Sequence, residues 1–569
     1  MAGVVTGDPV GGPLDRLVDR RSFLARAAAA AAATTVAGTA ALPSIGYAGT
    51  PGQQSAGTWR TRGEPYRPPR PEALRDLTEL TIAEAAWLIR ARRLRPEQLV
   101  EAYLDRIGAF EPVYRAFNLV AGDQALAEAR RYAHGGPRTP LRGIPLAIKD
   151  NYYTAGLPTT ANSYLFQDFV PPFDATAVAR LRAAGGIVLG KTQMGPLATT
   201  RATTPSGVIT TVNAWTPTDP GVDPGGSSTG TATAVAGRMA TSGTGTQTGG
   251  SITGPSNAQN LTGLKPTMGR VSLYGIIPLS YTRDHPGPLA RDAMDAAIML
   301  TAMAGRDRND PRTQGLPPVG DLIAAATPVS AGRRPRLRWR TRIGIIPGYA
   351  SGTSPAADAR RAFLATLDAI PGATLVDVAL PAEWDLLTGP EFNNVRLPER
   401  SEPFHPYLRS DLRGFGVSVT GWLQGALLGA DEYLTGQRAK LLLLERVLDM
   451  FDRCDVVVQT SPIPFDIIGL PELALPIGFT PDGVPIGTII GAPPYAEDRL
   501  LSVAAAYQAA TDWHLRRPAD PPGQAAPTTT PEGRAPRTAR TDRWRTATAV
   551  PADPARGRLT ADDVVRLMQ

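Results

Sequence analysis

Residues 224–256 read PGGSSTGTATAVAGRMATSGTGTQTGGSITGPS. The stretch holds two glycine-flanked serine clusters, Gly225-Gly226-Ser227-Ser228 and Thr248-Gly249-Gly250-Ser251, with Ser227 and Ser251 24 residues apart. Upstream, Lys149 closes the apolar run Gly143-Ile-Pro-Leu-Ala-Ile-Lys149. Glycine neighbours leave a serine hydroxyl uncovered and the backbone N–H groups available. Acyl transfer needs those parts: a nucleophile, a base to deprotonate it, and donors for the developing oxyanion. No histidine accompanies either serine and no Gly-x-Ser-x-Gly turn is present, so the base is not an adjacent imidazole. Lys149 is the candidate, because partial desolvation among apolar flanks lowers an amine's affinity for its proton. No Gly-Lys-Ser/Thr closes the block, and Lys265 is followed by Pro266, which argues against a phosphate-binding loop.

Around this block the pattern alternates between strand and helix. Thr81-Ile-Ala-Glu84 reads as a capping box opening a helical region, which Pro96 divides in two. A third helix is expected over about 122–134. The runs Ile144–Ile148 and Gly186–Leu189 flank a helical pattern over 174–184, and strand–helix–strand at that spacing reads as α/β. Further strands are expected at Arg342–Ile346, Ala373–Val378, Asp455–Gln459, Glu472–Ile477 and Val484–Ile490, with helices near 291–304, 355–368, 420–450 and 498–512. The proline- and aromatic-rich stretch 380–418 either lines a substrate cleft or is a surface excursion. Trp384, Phe392, Phe404, Phe415 and Trp422 are candidates for an apolar acyl or aryl pocket.

The 569 residues suffice for one large core or two domains, and 42% apolar with 20% charged content suits a soluble globule. The net charge of +7 is concentrated outside the core: residues 515–569 hold ten arginines against six acidic residues. No compact basic run interleaved with stacking aromatics is visible, so a nucleic-acid partner is not expected. The single Cys454 excludes an internal disulfide, and four scattered histidines give no metal-ligand spacing. Asp19-Arg20-Arg21-Ser22-Phe23-Leu24, the alanine-rich run 27–41 and Gly46-Tyr47-Ala48 have the order of an export signal. The paired arginines resemble those of the twin-arginine route for folded proteins. The expected division is a signal over 1–48, a linker over 49–73, a catalytic domain over 74–514, and a Pro/Arg-rich, partly disordered extension over 515–569. Leu559–Leu567 reads as a short helix capped by Thr560 within that extension. The apolar run is short of a spanning helix, so no stable membrane insertion of the mature chain is expected.

The block 224–256, together with Gly263-Leu-Lys-Pro-Thr-Met-Gly-Arg-Val-Ser272, resembles the signature of the amidase signature family. Asp174-Ala-Thr-Ala-Val-Ala-Arg-Leu, Gly190-Lys-Thr-Gln-Met and Tyr507-Gln-Ala-Ala-Thr-Asp-Trp-His514 extend the resemblance over roughly 75–514. It implies an α/β fold in which a large mixed, twisted β-sheet core is covered by helices on both faces. It also implies a Ser–cis-Ser–Lys triad without metal or cofactor. Matching residue by residue makes Ser251 the nucleophile, Ser227 the bridging serine in a cis peptide with Gly226, and Lys149 the base. The N–H groups of Thr248, Gly249, Gly250 and Ser251 become the oxyanion pocket, with Ser228 and Gln247 supporting it from behind.

Two positions depart from the family pattern. Gln247 stands where an aspartate is common, and Thr253 where many members carry an arginine that can meet an acidic substrate. Asp284 is expected to fix loop geometry beside the cleft, and His285 to take no part in proton transfer. The N-terminal signal and the resemblance together imply an exported amidase, periplasmic or extracellular, acting on neutral or apolar small-molecule amides such as aryl or peptide C-terminal amides. Its expected partners are that substrate and the twin-arginine export machinery, and it is expected to be a monomer or homodimer. The alternatives are an esterase or carbamate hydrolase on the same fold, or the amidase subunit of a tRNA-dependent amidotransferase.

Overall fold

The apolar run that ends in Lys149 is a strand, Pro145–Lys149, buried at every residue. It lies near one end of an eleven-stranded mixed sheet in a computed structural model that describes residues 61–390 and 396–523. The export signal, most of the linker, Phe392 and residues 524–569 with Leu559–Leu567 lie outside the described residues.

In chain order the strands are β1 (Phe117–Val120), β2 (Pro145–Lys149), β3 (Ile187–Thr192), β4 (Ser242–Gln247), β5 (Thr262–Lys265), β6 (His285–Ala290), β7 (Val329–Ala331), β8 (Arg334–Arg336), β9 (Thr341–Ile345), β10 (Ala373–Asp377), β11 (Val456–Gln459), β12 (Glu472–Phe479) and β13 (Pro485–Gly491). β7 and β8 form a separate hairpin, and the others run β1-β3-β2-β4-β6-β5-β12-β13-β11-β9-β10. Parallel pairs (β2 with β3 and β4, β9 with β10 and β11) alternate with antiparallel ones, so the sheet is mixed as the resemblance implied. All seven strands read from apolar runs are present within a few residues of their expected ends.

The centre of the sheet is built differently. β4 is Ser-Gly-Thr-Gly-Thr-Gln and β6 is His-Pro-Gly-Pro-Leu-Ala, and every residue of both is buried. Buried strands ordinarily read as β-branched runs, and proline argues against a central strand, so neither was expected. Small residues are required here because neighbouring backbones come close. A Cβ on Gly287 would sit 2.2 Å from the carbonyl oxygen of Leu264. The short helix Thr229–Ala236, also entirely buried, packs on β2, β3 and β4 just after Ser227 and Ser228.

The helices follow the expected pattern. Thr81 Oγ1 accepts from the Glu84 N–H at 3.2 Å and Glu84 returns a bond to the Thr81 N–H at 3.0 Å, completing the capping box of Ile82–Arg90. Pro96 opens the next helix, Pro96–Tyr114. The helix expected over 420–450 is two, Val419–Leu427 and Ala430–Met450, parted at Gly429. The chain beyond the expected domain limits is also tied down. Arg62 N–H donates to Asp321 at 2.6 Å, Arg517 pairs with Glu79 at 3.3 Å, and Asp520 bonds both Arg106 and Arg238. No helix among the described residues is long and apolar enough to cross a membrane.

Candidate active site

β2 delivers Lys149 to the interior, and the neighbouring β4 supplies its surroundings. The Lys149 N–H donates to Thr244 Oγ1 at 3.0 Å. Its side chain, 0% exposed, ends with Nζ 2.8 Å from Ser227 Oγ, 2.9 Å from Ser228 Oγ and 2.8 Å from Thr246 Oγ1. Burial drives this amine well below the ordinary lysine value, against the opposing pull of the Asp284 carboxylate. A neutral amine has two N–H donors and one lone pair, so with three hydroxyls around it at least one O–H points at the nitrogen. That is the arrangement of a base ready to accept a proton through a hydroxyl.

Ser227 follows a cis peptide with Gly226, as expected. Ser228 touches the amine directly, a closer part than support from behind. Thr246 was not singled out in the sequence at all. It receives bonds from both Lys149 Nζ and Asn151 Nδ2, the latter at 3.1 Å, and nothing distinguishes it locally from the other threonines of its strand.

Ser251 sits in the turn between β4 and the helix Thr253–Ala258, 8% exposed. Its hydroxyl makes no hydrogen bond to Ser227 among the described residues, so the structure brings Lys149 to Ser227 and leaves the second link open. Catalytic bonds are commonly loose without substrate and tighten around it. Preceding it, Gly250 has φ +92, and a Cβ there would meet Pro462 at 3.0 Å, so the turn requires glycine. The N–H groups of Thr248, Gly249, Gly250 and Ser251 donate to no acceptor among the described residues.

Gln247 anchors the chain just beyond those donors. Its Oε1 accepts from the N–H groups of Ile252 and Thr253, both at 2.8 Å, and from Thr253 Oγ1 at 3.2 Å. Its Nε2 donates to Asp466 at 2.9 Å and Glu472 at 3.1 Å, which share Lys265 at 3.3 Å each. All four side chains are fully buried, and burial raises the Glu472 carboxyl well above its usual range, with Lys265 opposing. The two departures from the family pattern are therefore bonded to each other, and one neutral amide holds the start of the helix Thr253–Ala258. Gln247→Met keeps the volume and removes the acceptor. It is expected to lower kcat about ten- to hundredfold with little change in KM, because misplaced oxyanion donors cost most in the transition state. Steady-state kinetics on the variant check this.

Asp284 bonds Thr248 Oγ1 and takes the N–H groups of Leu279 at 2.7 Å and Ser280 at 3.0 Å, pinning the 279–284 loop to the serine turn. His285 is held uncharged by burial, with Lys265 pushing the same way, and its Nδ1 lies 3.3 Å from the Gln247 carbonyl oxygen. Among the described residues it makes no hydrogen bond to Lys149, Ser227 or Ser251.

A cavity of about 380 Å³ opens beside Asp284, walled by Leu273, Ile276, Pro278, Tyr281, Pro398 and Pro403. Of its charged members, Asp284, Arg312 and Glu399 are bonded to protein, while Glu402 is exposed and makes no side-chain hydrogen bond or ion pair among the described residues. Arg312 bonds Asp310 at 2.7 Å and stacks 4.5 Å above the Tyr281 ring, while Glu399 accepts from Thr282 and from the Tyr433 hydroxyl at 2.9 Å. The 380–418 stretch thus lines this cavity through Pro398, Glu399, Glu402 and Pro403, and not through Phe404 or Phe415. Phe404, Phe415 and Trp422 pack on one another at 5.7–6.1 Å between ring centres in the interior. Trp384 lines a second cavity of about 360 Å³ with Ile463 and Phe465. Among the described residues no cluster of histidine, cysteine and carboxylate side chains could hold a metal.

A family model described as Amidase matches residues 98–396. The A subunit of the glutamyl-tRNA(Gln) amidotransferase of Azotobacter vinelandii is 35% identical over 485 residues, covering 77% of this chain and 99% of that protein. The native peptide amidase of Stenotrophomonas maltophilia superimposes with a TM-score of 0.65 at 29% identity, covering 78% of this chain and 98% of the other. An amidase family protein of Bacillus anthracis gives 0.67 at 25% identity, over 79% and 95%.

Proposed function

The chain belongs to the amidase family, and on that premise we propose that it cleaves the C–N bond of a carboxylic amide through an acyl-enzyme on Ser251. The observation that carries the proposal is the buried Lys149 amine, pushed toward its uncharged form and 2.8 Å from Ser227 Oγ, beside a turn whose N–H groups are uncommitted. In the first half, the Ser251 proton passes to Ser227 while the Ser227 proton passes to Lys149, and Ser251 Oγ bonds the carbonyl carbon. The oxyanion is held by the N–H groups of residues 248–251. Its collapse breaks the C–N bond, and the leaving nitrogen takes the proton back from Lys149 through Ser227. Water then repeats the sequence on the ester to release the acid.

The similarity to an amidotransferase A subunit along nearly its whole length supports a role in which the amide is glutamine and the ammonia serves a partner protein. It supports that reading at least as well as the free-standing amidase expected from the sequence. The free-standing reading draws on the apolar cavity, on Thr253 in place of an arginine, and on the likeness to a peptide amidase. Initial rates of ammonia release from glutamine and from peptide C-terminal amides, with matched anilide, ester and carbamate substrates, separate the readings. Turnover of glutamine with a co-purifying partner protein selects the amidotransferase, and turnover of peptide or apolar amides by the chain alone selects the amidase. Turnover of esters alone would defeat both. The export reading of residues 1–48 is part of the free-standing proposal. It requires that the protein recovered from its native host begin near Ala48 and outside the cytoplasm.

A further inference from the structure

The helix Ala430–Met450 buries Gly436, Ala439, Leu442, Leu443, Val447 and Met450 against the protein. Its opposite face carries Leu434, Leu441 and Leu448, exposed by 52%, 53% and 39%, and Leu427 just before it is 86% exposed. Isolated exposed leucines are ordinary, but Leu434, Leu441 and Leu448 recur every seven residues of one helix and so share one face of it as one row. Asp431, Arg438 and Glu445, all exposed, lie along the same row.

The row complements itself in one direction. With two copies antiparallel about a two-fold axis through Leu441, residues equally far to either side of 441 meet. Leu441 then faces its own copy and Leu434 faces Leu448, each seven positions from the centre. Arg438, three positions before the centre, reaches Glu445, four positions after it, and the pair occurs twice by symmetry. A parallel pairing instead sets Asp431, Arg438 and Glu445 each against its own copy, and like charges in an interface are strongly unfavourable. From this complementarity of leucines and charges we infer that the exposed face of the helix Ala430–Met450 is the interface of a homodimer, paired antiparallel through Leu434, Leu441 and Leu448.

The test is sedimentation velocity and disulfide trapping on the full chain. The unaltered protein is expected at twice the mass of one chain, and Leu441→Asp as a monomer with its hydrolytic activity unchanged. Arg438→Glu and Glu445→Arg are each expected to weaken association at least tenfold, and the double variant to recover it. Because the only native thiol, Cys454, is buried, an added cysteine reports cleanly. Leu441→Cys is expected to link two chains under mild oxidation. Leu434→Cys is expected not to link with itself, since its two copies stand about 21 Å apart along the helix, but to link with Leu448→Cys. A monomer at every concentration would overturn the inference, as would a dimer indifferent to these substitutions or a Leu434→Cys homodimer. So would a monomer whose Leu441→Cys resists thiol reagents, which would place the chain's own termini on the row, or co-flotation with lipid vesicles in place of dimerisation.

Discussion

Ser251→Ala is expected to lower kcat by at least about 10⁴-fold while leaving the protein folded and able to bind substrate. The expectation follows from what Oγ does in the structure. It is the hydroxyl beside the uncommitted N–H groups of residues 248–251, and among the described residues it makes no hydrogen bond whose partner would be orphaned by its loss. Deleting it therefore removes the attacking atom at little structural cost. A small residual rate is expected, because the oxyanion donors and the bound geometry survive. Rate measurements on the purified variant, with a thermal melt beside them, check both halves. An unchanged rate would remove Ser251 from the chemistry.

Substitutions of Lys149 carry the second large effect. Lys149→Met and Lys149→Arg are both expected to lose activity by a comparable factor, for opposite reasons. Methionine has no basic nitrogen, and a guanidinium stays protonated throughout the usable pH range. In the unaltered enzyme the base works only when neutral. Since burial sets its folded value well below the ordinary 10.5, the rate is expected to rise as pH climbs through that lowered value. The same shift bears on stability. Between the lowered folded value and 10.5 the unfolded chain binds the extra proton, so this lysine makes stability increase with pH across that window. Lys149→Met removes that contribution to the slope. Activity and chemical denaturation measured across pH check the rate and the stability, respectively.

The outer parts of the sheet were legible because they follow ordinary rules. Val456–Gln459 and Pro485–Gly491 are short apolar runs between turn residues, and Thr81 with Glu84 announces a helix start by chemistry alone. The centre was not legible by pattern. β4 and β6 are made of glycine, threonine and proline because backbones approach too closely there for larger side chains, and that crowding is tertiary information. The site draws on both kinds of segment: Lys149 closes a readable apolar strand and the serines stand out by their glycine neighbours, while the family resemblance assigned their roles. The resemblance reached the serines and the lysine. It did not reach Thr246, whose contact with Nζ depends on the parallel pairing of β2 with β4. Phe404, Phe415 and Trp422 show the converse limit, since composition marks a segment as aromatic without saying that its rings face one another instead of the cleft.

The central claim is that Lys149 is uncharged when the enzyme works. The direct measurement is the ¹⁵Nζ resonance of Lys149 in the full-length protein, followed as a function of pH and assigned by its loss in Lys149→Met. The account predicts a titration midpoint well below that of the other lysines, coinciding with the acid limb of the hydrolysis rate. A resonance that remains that of an ammonium up to the ordinary lysine range, in an enzyme already at full rate, would contradict it.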